Sequence, residues 1–360
     1  MKKRILALLL ALLLIFASGC GVPKTEVAGE TTQFTDDCGR TVTVPVRITR
    51  VAPSGSVAQL ILTAIAPDLL AGLSGTPGTS QLRYLPSNFP ELPTFGQFYG
   101  GKATLNLESL LAANVQIIID LGDKKAGHTG DMNRIQRQCG IPTVFLETTL
   151  DKFADAYRAL GRLLGREERG EALAAYIENT VETARSLSAS IPEEERLTVV
   201  YGSGTSGLNC NARGSVQADV LELVGAVNAV EVPTKELSNA GGGNPINMEQ
   251  LYVFDPDVIL LTEGGPFAHL AEDETWNRLR AVREGRYYEI PCLPYNWLSS
   301  PPSVNRILGI WWLGNLLYPE VYDYDMADKV VEFYSLFYGT ELSREEAEEM
   351  LRNSTGKRAP

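Results

Sequence analysis

The stretch DKFADAYRALGRLLGREERGEALAAYIENTVETARSL, residues 151–187, decides the fold. Phe153, Tyr157, Leu160, Leu163, Leu164, Leu173, Tyr176, Ile177 and Val181 recur at the spacings of one apolar helix face. No proline interrupts the run, so the spacing predicts one long amphipathic helix over 151–190, bent near Gly165 or Gly170. At about 1.5 Å per residue, such a helix reaches across a whole domain.

On either side of it, short apolar runs alternate with helical spacing. Residues 48–52, 115–120 and 142–146 read as strands, with helices at 57–65, 107–113 (Asn106 as its cap) and 134–139. Beyond the helix, 197–201, 258–262 and 287–291 read as strands, with helices at 216–224, 248–253 and 302–317. Ahead of all of these, 35–45 alternates like a strand pair around a glycine turn. The halves echo each other: Leu105-Asn-Leu-Glu-Ser-Leu110 precedes one strand and Ile246-Asn-Met-Glu-Gln-Leu251 another, while Gly55-Ser-Val and Gly214-Ser-Val each open a helix. The expected fold is α/β, two Rossmann-like lobes joined by one long backbone helix. The lobes fall at 34–150 and 191–345, the linking helix at 151–190 and a tail at 346–360.

The N-terminus sets the compartment. Met1-Lys-Lys-Arg4, an apolar run over 5–16 and small residues at 17–19 have the grammar of a secretory signal over 1–19. The run is too short to span a bilayer. Cys20 follows at once, as in the lipobox of bacterial lipoproteins, which implies lipidation at Cys20 and a stalk over 20–33. The expected place is the extracytoplasmic face of the cell membrane, held by the lipid anchor only. No ATP or NAD pool exists there, so no cofactor is expected. The 360 residues are 44% hydrophobic, enough for a large core, and a net charge of -12 makes nucleic acid a poor partner. Cys38, Cys139, Cys210 and Cys292 remain, allowing three pairings or burial as free thiols.

Motifs for catalysis are sparse. Gly202-Ser-Gly-Thr-Ser-Gly207 follows a strand, but residues 208–214 intervene before any helix, so no helix N-terminus meets a pyrophosphate. It reads instead as a loop lining a cleft. There is no GxSxG, and only His128 and His269 could act as a base, so an extracellular hydrolase stands as the alternative without a nominated serine. The two histidines each follow a strand and a glycine-rich loop, as a metal pair across a cleft or as surface histidines. Arg213 and Arg306 offer guanidinium forks for carboxylate, catecholate or oxyanion. Phe95, Phe98, Tyr99, Phe267, Tyr295 and Trp297 crowd the same loops. The expected ligand set is Tyr99, Asn209, Arg213, Tyr295, Trp297 and Arg306, suited to a sizeable anionic ligand.

Phe34-Thr-Asp-Asp-Cys-Gly-Arg-Thr-Val-Thr-Val-Pro45, Ile48-Thr-Arg-Val51 and Leu70-Ala-Gly-Leu-Ser74 resemble the opening of helical-backbone substrate-binding proteins of ABC importers. Met248-Glu-Gln-Leu251, Asp255-Pro-Asp-Val-Ile259 and Leu279-Arg-Ala-Val282 resemble that family's second lobe. The resemblance spans about 34–340. It implies a monomeric binding protein, not an enzyme, that takes a metal chelate in the cleft, most naturally a ferric siderophore. Haem, cobalamin or a molybdate-like oxyanion are alternative ligands. It implies delivery to an ABC permease and its ATPase, with small closure about the helix. It also implies one acidic docking residue per lobe, at positions that fall on Gln59, which is not acidic, and Asp219.

Overall fold

The computed structural model describes residues 29–100, 103–238, 243–298 and 301–354. The expected signal segment, Cys20 and most of the stalk lie outside the described residues. The chain opens on an antiparallel hairpin, β1 (Thr31–Thr35) and β2 (Thr41–Pro45). Buried Asp36 at its tip accepts from the N–H groups of Cys38 and Arg40 at 3.0 Å each and from the Arg40 Nε at 3.0 Å. Arg40 then reaches the Thr143 carbonyl at 2.6 Å, tying the hairpin to the first lobe.

That lobe contains β3 (Val51–Pro53), α1 (Ser56–Ile65), α2 (Thr79–Leu82), α3 (Leu107–Ala112), β4 (Ile117–Gly122), α4 (His128–Cys139) and β5 (Thr143–Glu147). The three strands are parallel in the order β3-β4-β5. Both faces of β4 are buried: Ile117, Ile119 and Leu121 enter a core shared with the linking helices, and Ile118 enters an outer core with Met132, Ile135 and Phe145. Burial on both faces is why the strand reads as a continuous apolar run.

Residues 151–190 correct the single-helix expectation. They form α5 (Phe153–Leu164) and α6 (Glu167–Ala189), folded back on each other. Gly165 ends α5 at φ 65°, a left-handed cap that glycine adopts without penalty. The helices touch backbone to backbone: a Cβ on Gly170 would lie 2.6 Å from the Tyr157 carbonyl and 3.0 Å from the Gly161 Cα. Arg158 bridges to Glu171 at 2.9 Å and Glu178 at 2.7 Å across the pair. The long backbone helix is therefore α6 alone, about 35 Å at 1.5 Å per residue.

The second lobe holds β6 (Thr198–Ser203), β7 (Asn209–Cys210), α7 (Asp219–Leu223), β8 (Val227–Asn228), β9 (Asn244–Pro245), α8 (Met248–Phe254), β10 (Val258–Leu261), α9 (Arg280–Arg283) and β11 (Tyr287–Glu289). Strands run in the order β11-β10-β6-β7-β9, with β8 beside β6. β6, β8, β10 and β11 are parallel, and β7 returns antiparallel. The Gly202–Gly207 stretch is thus the end of a strand and a hairpin turn rather than an open loop. Then α10 (Asn305–Leu317), α11 (Met326–Tyr338) and α12 (Arg344–Met350) close the fold. α11 packs back on α1 of the first lobe, and one core joins Ile117, Ile177, Val199, Ile310 and Phe333. Among the described residues, no helix is long and apolar enough to cross a membrane. The four cysteines at 38, 139, 210 and 292 are free.

Candidate ligand-binding cleft

Parallel strands leave their carboxyl ends open, and ligands of α/β sheets sit there. In the first lobe, the Phe98 N–H bonds the Ser54 carbonyl at 2.9 Å, which seats Tyr99 over the end of β3. The Tyr99 hydroxyl donates to Asp120 Oδ2 on β4 at 2.9 Å. His128 opens α4, and its Nε2 lies 2.8 Å from the same oxygen, while Ser54 Oγ bonds Asp120 Oδ1. Asp120 and His128 are buried, and the imidazole packs on Phe145 at 4.1 Å between centroids. Burial, followed by the Asp120 charge, pushes the Tyr99 hydroxyl far above its usual range, so it stays a phenol.

The second lobe faces this wall. Arg306, 1% exposed at the start of α10, donates from Nη2 to Asp219 Oδ2 at 3.0 Å and to the Val216 carbonyl at 3.2 Å. Asp123, just beyond β4, feels the Arg306 charge across the cleft, yet burial still raises its carboxyl above the usual range. Burial raises Asp219 likewise, against the pull of Arg306. Gln81 Nε2 bonds the Pro294 carbonyl at 2.8 Å, another link between lobes. Burial lifts the Tyr295 hydroxyl to about 12, opposed by its hydrogen bond to Gln59. A cavity of about 510 Å³ opens at the flank, between Arg83 and Tyr84 of the first lobe, Cys292 after β11, and Glu345 and Met350 of α12.

The expected site residues divide on this geometry. Tyr99 bonds Asp120 in the first lobe, Tyr295 bonds Gln59, and Arg306, paired with Asp219, lies within charge reach of Asp123. Asn209 lies in the β6–β7 hairpin, partly buried beside Gly204. Arg213 is taken up by Glu231 and, at 3.1 Å, by the Asn228 carbonyl. Trp297 is 0% exposed, with its indole N–H on the Leu293 carbonyl at 3.0 Å, and Phe95 and Phe98 are buried, so all three are core residues. The histidines do not meet: His128 is sealed against Asp120, while His269 is exposed in a short turn. Among the described residues, no group of three or more His, Cys, Asp or Glu could hold a metal ion. Nor do Ser54, Asp120 and His128 make a relay, because serine and histidine both bond the aspartate and not each other.

The two docking positions differ in exposure: Gln59 is buried, while the Asp219 side chain is 36% exposed. Gln59 is 5% exposed, and its Oε1 accepts from the Ser74 N–H at 2.7 Å and the Ser74 hydroxyl at 2.9 Å. It holds a turn of the first lobe. Asp219 is engaged by Arg306. Ser54, Asp120 and Asp123 are polar residues of this wall that no sequence motif marks. Their signal was the polar residue at each strand's carboxyl end.

Two α/β lobes joined by helices, with parallel strand ends open toward each other, are the architecture of a bilobed solute-binding protein. The sequence profile of the periplasmic binding protein family matches residues 99–292, and the chain belongs to that family. It is 30% identical to an ABC transporter solute binding protein from Sulfurospirillum deleyianum, whose structure superposes at a TM-score of 0.80 over 88% of this chain and 98% of that one. MolA of Haemophilus influenzae, solved with molybdate, shares the fold at a TM-score of 0.70 and 19% identity, over 87% of this chain and 99% of MolA. In sequence, this molybdate-binding protein aligns at 26% identity over 124 residues, 34% of this chain and 33% of MolA. The uncharacterized substrate-binding lipoprotein YvrC of Bacillus subtilis is 21% identical over 340 residues, 89% of this chain and 99% of YvrC. The chain is the solute-binding component of an ABC transporter, not an enzyme, and what it carries is cargo rather than cofactor.

Proposed function

We propose that this protein captures a metal chelate, an iron complex foremost, between its lobes and delivers it to an ABC permease and its ATPase. It works as a monomer on the extracytoplasmic face, held by lipid on Cys20. The observation that carries the reading is the pair of half-buried phenols, Tyr99 and Tyr295, with Asp123 at the lobe junction. Phenol and carboxylate oxygens suit the shell of a hard cation. A second reading, a molybdate-like oxyanion, is supported by the likeness to MolA.

A native mass spectrum of the full chain in detergent tests this, after incubation with ferric siderophores, haem, cobalamin, molybdate and divalent metals. A chelate-sized adduct is expected, and a molybdate adduct would replace the first reading by the second.

Docking follows from the internal echo. Glu108 and Glu249 are exposed acids in the first turns of α3 and α8. Asn106 and Asn247 cap those helices, accepting from the N–H of Ser109 at 3.0 Å and of Gln250 at 2.8 Å. Each helix feeds a parallel strand, so its first turn lies at the cleft side of the lobe. We assign these two glutamates as the acids offered to the permease. The Glu108→Ala/Glu249→Ala double variant should lose uptake with ligand affinity intact; undiminished uptake would remove the assignment.

A further inference from the structure

Resting on the cleft as the ligand site, we infer that its wall reads hydrogen-bond donors, so that the cargo presents N–H, O–H or coordinated water and a net positive charge rather than bare oxyanion oxygens. Tyr99 sets the polarity of this wall. A phenol has one proton, and this one is given inward to Asp120 at 2.9 Å. Asp120 also receives His128 Nε2 at 2.8 Å and the Ser54 hydroxyl, so it serves purely as an acceptor. What Tyr99 keeps for the cleft is oxygen lone pairs. Asp120, Ser54 and His128 are positioning residues that fix this polarity.

Among the described residues, the two arginines that could receive an oxyanion are already paired. Arg213 is paired with Glu231. Arg306 is 1% exposed with its Nη2 on Asp219 and Val216, and its Nε is buried. The N-terminus of α1, a natural anion seat, is covered: Gln97 Oε1 lies 2.4 Å from where a Cβ on Gly55 would stand. By contrast, Asp123 is half-buried and accepts no hydrogen bond from any described residue. Asp123, with exposed Lys125 two residues away, and the Tyr99 oxygen leave acceptors open in this wall.

Calorimetry on the full chain with two probes tests this. Hexaamminecobalt(III) has a surface of N–H donors; molybdate has one of oxygen acceptors. The ammine complex is expected to bind. Tyr99→Phe and Asp123→Asn should each weaken it about tenfold, the scale of one charge-assisted hydrogen bond, while Glu193→Gln on the exposed surface leaves it unchanged. Asp120→Asn supplies a side-chain N–H to Tyr99 and turns the phenol proton outward, so it should weaken the ammine complex and gain molybdate. A role confined to stability would not exchange the two probes. Tyr99→Phe is nearly isosteric and carries the test if Asp120→Asn fails to fold. Molybdate binding tighter than the ammine complex overturns the inference, as does ammine binding indifferent to Tyr99 and Asp123. Heat from neither probe up to about 1 mM, the weak end of specific affinity, overturns it too. The importer reading fails separately, only if the native spectrum shows no adduct of any kind.

Discussion

Arg169 shows how much one side chain can hold. From α6 its Nε donates to the Ala64 carbonyl at 3.0 Å, and its Nη2 donates to the Leu336 carbonyl. These carbonyls end α1 and α11, where the helix dipole is negative and the last C=O groups lack helical partners. Arg169→Met keeps the stem but leaves both carbonyls without their charged donor. It should cost about 2 kcal/mol in urea unfolding, and a loss below a few tenths would show the contacts to be incidental. Asp123 has the opposite sign. Burial raises its folded carboxyl above the unfolded value, so ionising it opposes folding. Stability from this group is complete below the unfolded carboxylate range and is lost as pH rises through the raised folded value. Asp123→Asn should therefore stabilise the ligand-free protein at neutral pH by about 0.5 kcal/mol or more, with the gain fading in acid. Melting curves at pH 7 and pH 3.5 read this directly. At this scale the sequence nominated Tyr99, Tyr295 and Arg306 by residue type alone. It did not show Arg306 or Arg213 already paired, because Asp219 and Glu231 are ordinary acids in the sequence and only the fold brings them into contact.

At the scale of elements, apolar period predicted helix over 151–190 correctly but could not report a reversal, since both arms bury the same kind of face. Gly165 marked the break. The tight crossing of Gly161 and Gly170 is tertiary and leaves no periodic trace. Two substitutions separate the two effects. Gly165→Ala forces a left-handed residue to carry a Cβ, at about 1 kcal/mol. Gly170→Ala drives a Cβ to 2.6 Å from a backbone carbonyl that no rotamer change can move. It should cost about 1–3 kcal/mol and splay α5 from α6. If chemical denaturation ranks Gly165→Ala as the more damaging, the crossing is looser than its geometry says. Helices capped by Asn106 and Asn247 were legible outright, because the capping residue and the apolar face agree locally.

At the scale of the molecule, the strand–helix rhythm and the echo between halves gave two lobes. The return of α11 onto α1 was hidden, since nothing in an apolar C-terminal helix names the lobe it will cover. That return changes what a lobe is. Ile117, Ile119 and Val144 from the first sheet share one core with Leu173 and Ile177 of α6, Val199 and Leu260 of the second sheet, and Phe333 and Phe337 of α11. Tyr157 of α5 and Tyr176 of α6 meet the Phe337 ring at centroid distances of 6.4 and 5.6 Å. Separating the lobes widely would expose this layer, at roughly 25 cal/mol per Å² of apolar area. Ligand closure must therefore be a small flex in which α6 and α11 move with both lobes. The same packing makes the lobes thermodynamically inseparable. Calorimetry of the whole chain should show a single transition whose van't Hoff and calorimetric enthalpies agree, and a fragment covering 29–150 should bind an apolar dye and melt without cooperativity. Two resolved transitions, or a fragment that melts sharply on its own, would mean that the shared core is a contact between finished domains and that wide hinge closure is open to this protein after all.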